Sequence, residues 1–133
     1  MALDLPHGGD IEGYRSCYGC EPVDFSANCN PCGVPQQVRR AICAAAAQAD
    51  RYPDPLCRRL TAALAEQLGL PEAWLLCGAG AADLIYRLAL AVKPATALVT
   101  APCFAEYEPA LVLAGAEVRR YPLPAEDGFA LTG

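Results

Sequence analysis

Histidine, lysine, tryptophan and methionine each occur once in this 133-residue chain. One histidine, His7, cannot supply the Ser/His/Asp set of a hydrolase, and no serine sits in a nucleophile-elbow pattern. The one lysine, Lys93, stands before a proline in "AVKPA", where a solvated charge at a helix end is the simplest reading. Basic clusters are also lacking. With a net charge of −5, this argues against nucleic acid or an anionic membrane as the main partner. Arg87, Lys93 and glycines interrupt the longest apolar stretches, so none reaches the ~20 residues of a membrane span. The start "MALDLPHGGD" carries acid where a secretory signal has base and then an apolar run, and a cytoplasmic location is expected. Neither G-x-G-x-x-G nor Walker A spacing occurs.

Hydrophobic residues make up 54% and charged residues 19%, a globular composition that suits one domain's worth of chain. Cysteine is plentiful. Cys17/Cys20 and Cys29/Cys32 form two Cys-x-x-Cys pairs with eight residues between them. Four thiolates so spaced can bind zinc tetrahedrally, which would make the chain a zinc-binding or regulatory module. Cys43, Cys57, Cys77 and Cys103 are scattered through apolar or helical stretches and read as small buried hydrophobes. A chain this free with cysteine weakens a special role for the first four.

Residues 1–34 lack sustained periodicity and read as an extended arm with turns. A helix is expected from Pro35 through an alanine run, stopped by "RYPDP". A second helix, "LCRRLTAALAEQLG", places Leu56, Leu60, Leu64 and Leu68 on one face, with Gly69 as its cap. "AWLLC" reads as a short buried strand. "GAG" then opens into the helix "AADLIYRLALAV", followed by strand "ATALVTA", helix "FAEYEPALVLAGA" and strand "EVRRYPL". This alternation predicts an α/β fold with parallel strands.

Three places can carry chemistry. "CGAGAAD" lets amides at a helix N-terminus face an anion, typically phosphate, or is a plain tight turn with Asp83 complementing the helix charge. "SANCNPCG" concentrates amide side chains in a turn fixed by Pro31 and Gly33. Phe104 follows the carboxyl end of a strand, where open α/β sheets bind ligands, or packs in the core. Glu106 and Glu108 lie two apart and do not share a helix face.

Taken in order, "HGGDI", "DFSANCNPCG", "RYPDP", "GAGAADLIYRLA" and "APCFAEYEPAL" resemble the threonine-phosphate decarboxylase family. These are pyridoxal-phosphate enzymes of cobalamin synthesis, related to histidinol-phosphate aminotransferases. The resemblance implies a fold-type I large domain preceded by an extended amino-terminal arm, with residues 1–34 as the arm and 35–133 as a partial cofactor-binding domain. It implies that amides of Ala81 and Ala82 hold the cofactor phosphate, that Phe104 stacks on the pyridine ring, and that Tyr52 reaches the cofactor phosphate of a neighbouring subunit in a homodimer. His7, Gly8 and Asn28 are expected to contact O-phosphothreonine. The implied reaction releases CO₂ and aminopropanol phosphate; a histidinol-phosphate-type aminotransferase is the alternative. In the family the catalytic lysine lies further along than this sequence reaches, so the chain is expected to be a fragment without activity of its own. Cys29 and Cys32 then fill places that are usually apolar, and no metal is expected.

Overall fold

The computed structural model describes residues 8–131, which fall into two compact units meeting after Pro53. The first unit contains α1 (Ile11–Tyr18) and α2 (Gln36–Ala46). Helix α1 was not expected, because its apolar pattern is too short to show a period. Its ends explain it. Asp10 caps the start by accepting from the Gly13 amide at 2.8 Å, and Gly19 stops it in the left-handed region at φ 68°. A side chain at position 13 would collide with the capping carboxylate, so Gly13 is what lets Asp10 fold over. Arg15 then grips Glu21 with two bonds of 2.7 and 2.9 Å and reaches Glu12 at 3.1 Å.

Helix α2 forms where the alanine run predicts it, with Pro35 one residue outside, yet it buries none of its residues. Cys43, expected inside, is therefore exposed; Cys103 is exposed as well, and Cys57 and Cys77 are half-buried. The expectation of four buried thiols fails because the helix and loops carrying Cys43 and Cys103 have nothing packed over them.

The second unit contains α3 (Arg58–Leu68), α4 (Gly80–Val92), β1 (Thr96–Ala101), α5 (Tyr107–Leu113) and β2 (Glu117–Pro122). Asp54 starts α3 by accepting from the Arg58 amide at 2.8 Å, and Gly69 ends it. Its leucine stripe is real but mostly open: Leu56, Leu60 and Leu68 are exposed, and only Ala65 is buried. "AWLLC" is not a strand. A 3₁₀ turn over Glu72–Trp74 leads into extended backbone at Leu75, which pairs with no strand among the described residues. An apolar run becomes a strand only when a ladder partner takes its amides.

Strands β1 and β2 pair in parallel, Thr96 opposite Glu117 and Ala101 opposite Pro122. Helix α5 joins them and packs on α4. The core is small: Ala65, Ala89, Val99 and Ala110, of which Ala110 is fully enclosed. Arg120 of β2 clasps Glu108 of α5 with two bonds of 2.8 Å, which holds the carboxyl of Glu108 below its usual range.

Candidate active site

The turn between Cys77 and α4 needs glycine twice, for opposite reasons. At Gly78 a Cβ would lie 2.5 Å from Asp83 Oδ2 and 2.7 Å from Leu84 Cδ2, so the chain there is too close to its own helix for a side chain. Gly80 has φ 85° with open space around it. The Ala79 amide donates to the Asp83 carboxylate at 3.0 Å, and Arg87 stands 3.6 Å from the same carboxylate while bonding the Cys77 carbonyl at 3.3 Å. The one acid of the first turn is thus tied back into the turn. No side chain caps α4. The amides of Gly80, Ala81 and Ala82, which have no acceptor within a helix, face outward at its positive end.

Phe104 lies beyond β1, 45% exposed, with Tyr107 edge-on to its ring at 5.7 Å. What ties this loop to α4 is a hydrogen bond from Tyr86 to Glu106, which pushes the phenol above its ordinary pKa; burial adds to the effect. Tyr86 is six residues along α4 from Gly80, or ~9 Å by helical rise. Glu106 is two residues beyond Phe104. The two acids at 106 and 108 serve different partners, Tyr86 and Arg120, as their spacing predicts. Neither Tyr86 nor Glu106 was marked by sequence as a site residue, because a pair formed across twenty positions leaves no local pattern.

A groove of about 550 Å³ runs along the flank of α4, lined by Ile85, Leu88, Val92, Leu98 and Tyr107 among others. It is apolar, and neither Gly80, Ala81 nor Phe104 lines it. Lys93 ends α4 in the left-handed region, φ 46°. That puts it ~20 Å along the helix from Gly80, beyond the span of one pyridoxal phosphate.

In the first unit, Gly8 and Gly9 lie against Ser26 and Ala27. A Cβ on Gly8 would run into the Ser26 carbonyl, and the Gly9 amide donates to Ser26 Oγ at 2.8 Å. The structure therefore brings Gly8 beside the segment that carries Asn28. The Cys29 amide bonds the Ala27 carbonyl at 2.9 Å, a three-residue turn with an exposed Asn28 at its apex. Asn30 makes the expected side-chain turn, accepting from the Cys32 amide at 3.0 Å. His7 lies outside the described residues. Tyr52 belongs to this unit and is fully exposed. Among the described residues no group of three or more Cys, His, Asp or Glu is gathered closely enough to hold a metal, and Cys17, Cys20, Cys29 and Cys32 are all exposed.

Residues 21–132 match the aminotransferase class I and II family. The chain is 40% identical to a threonine-phosphate decarboxylase of Salmonella typhimurium, over 99% of this chain and 37% of that protein. An adenosylcobalamin biosynthesis bifunctional protein of Leptospira interrogans is 32% identical over 84% of the chain and 13% of its own length. A histidinol-phosphate aminotransferase of Cupriavidus pinatubonensis is 40% identical over 64% of the chain and 22% of its length. The chain thus spans between 13% and 37% of these relatives. The family is pyridoxal-phosphate-dependent and its fold is α/β, as the alternation of helices with a parallel strand pair also indicates. The profile covers most of the sequence, and the chain belongs to the aminotransferase class I and II family.

Proposed function

We propose that this chain supplies the cofactor-phosphate cradle and part of the substrate site of a threonine-phosphate decarboxylase. The observation that carries this reading is the uncapped start of α4, where the amides of Ala81 and Ala82 follow a glycine in open space. A phosphate dianion there takes donors that no side chain of the helix occupies, and it meets the favourable end of the helix dipole. The surroundings fit the group: the turn's own acid is engaged with Ala79 and Arg87, and the residues at 79–82 are small. Phe104 offers its ring, and the Tyr86–Glu106 bond restrains the loop that presents it. Bound pyridoxal phosphate supplies an electron sink for the pair left when CO₂ departs from Cα.

The remaining roles belong to the first unit. Gly8 and Asn28, with His7 before them, contact the phosphorylated amino acid. Protonated His7 beside a dianion is electrostatically favoured. Tyr52, fully exposed, extends to the cofactor phosphate of a second subunit in a cytoplasmic homodimer. No residue here serves as the covalent anchor of the cofactor, since Lys93 stands at the opposite end of α4 from the cradle. The chain by itself is expected not to turn over O-phosphothreonine.

The test is a substitution that removes one donor and little else. Proline is tolerated in the first helical turn, where the amide it removes has no acceptor within the helix. Ala81→Pro should weaken pyridoxal phosphate binding by the ~1.5–3 kcal/mol of one charge-assisted bond, read by fluorescence titration, and leave pyridoxal binding unchanged. Equal affinity in the two proteins would overturn the cradle. In the full-length enzyme, CO₂ release from O-phosphothreonine supports the decarboxylase; amino transfer to a 2-oxo acid without CO₂ supports the aminotransferase.

A further inference from the structure

The pair Asp24 and Ser26 has no place in the site as drawn so far, and its hydrogen bonding is one-directional. Asp24 Oδ1 accepts from the Ser26 hydroxyl at 2.6 Å and from the Ser26 amide at 2.7 Å. A hydroxyl has one proton. With that proton committed to the carboxylate, Ser26 Oγ can only accept, and it accepts the Gly9 amide at 2.8 Å. The carboxylate thus polarises the hydroxyl toward the glycine, in a chain whose members reinforce one another. Gly8 completes the contact, since its missing side chain is what allows it to lie on the Ser26 carbonyl.

Two residues after Ser26 comes the apex at Asn28. The hollow of about 410 Å³ beneath the glycine pair is lined by the acids Asp10 and Asp24, and so repels a phosphate. A phosphorylated ligand is left with the Asn28 side of the segment. From these contacts we infer that Asp24 and Ser26 are positioning residues: they fasten Gly8–Gly9 to the Asn28 turn, so that both segments address one phosphorylated amino acid. The inference rests on the substrate reading above and names two residues which act without touching the ligand.

Two measurements separate its failure from failure of that reading. Amide exchange at Gly9, followed by NMR on the ligand-free chain, should speed up about 5–10-fold in Ser26→Ala, the loss of one neutral hydrogen bond, and return in Ser26→Thr, which keeps the hydroxyl. In the full-length enzyme, Ser26→Ala should raise KM for O-phosphothreonine by a similar factor with kcat little changed, and Ser26→Thr should restore it. Unchanged Gly9 exchange overturns the clamp. Faster exchange with unchanged KM overturns its positioning role. An enzyme that ignores O-phosphothreonine altogether overturns the substrate reading instead, and the clamp is then decided by the exchange result alone.

Discussion

The two units are built on different principles. The first, as far as it is described, buries no residue and is held by short polar bonds: Asp10 to Gly13, Arg15 to Glu21, Asp24 to Ser26 to Gly9. The second has an apolar centre, with Ala110 fully enclosed and Val99 and Ala89 beside it. Water competes for every bond of the first unit and for few of the contacts at the second unit's centre. The first arrangement suits the substrate contacts proposed above, and the second suits the proposed cofactor cradle. The comparison predicts that damage to one unit will not spread to the other.

The hardest test is at Ala110. Ala110→Leu forces bulk into an enclosed site and should cost the second unit about 1–3 kcal/mol. The chain's one tryptophan, Trp74, lies in that unit, so urea unfolding followed by its fluorescence reports on it alone. Exchange at Gly9 should not move; if it does, the units are not independent. Next comes Gly80→Ala, which imposes φ 85° on a residue with a Cβ and should cost about 1–2 kcal/mol in the same assay. A cost near zero would mean that the turn relaxes and the cradle is not fixed.

Acid should separate the units as well. The Asp24 carboxyl is held below its ordinary range, first by the Ser26 hydroxyl and then by the Ser26 amide. A depressed carboxyl contributes its stabilisation above the unfolded value of ~3.9 and loses it as pH falls through the lower folded value. Gly9 protection should therefore persist at about pH 4 and disappear only below it, as NMR exchange across pH can show. Loss already at pH 5 would separate Gly9 from the carboxylate. The smallest effect is expected at Arg120→Ala. The Arg120–Glu108 clasp is well formed but exposed to solvent, and its removal should leave the tryptophan-detected midpoint within error.

How much of this was legible in the sequence depended on how far apart the deciding residues lie. Helices α3, α4 and α5 and strands β1 and β2 follow from periodicity, and their stops from Gly69, Lys93-Pro94 and Gly115. Helix α1 escaped because capping at Asp10 and Gly19, with little apolar pattern between them, is what defines it. "AWLLC" misled because an apolar run cannot reveal whether a partner strand is beside it. At the site, the glycine turn and its free amides were readable from "GAG". The Tyr86–Glu106 bond and the Ser26–Gly9 bond were not, since each joins positions seventeen or more apart. The two Cys-x-x-Cys pairs show the same limit in reverse: spacing within each pair says nothing about whether the two pairs converge, and among the described residues they are not gathered.

The Ser26–Gly9 bond also has a consequence for the order of events at the ribosome. Both of its partners are made within the first twenty-six residues, while β1 must wait for β2, with Thr96 opposite Glu117. Chains fold from the end that emerges first, at roughly 5–20 residues per second during synthesis. The glycine pair can therefore be fastened several seconds before the strand pair exists.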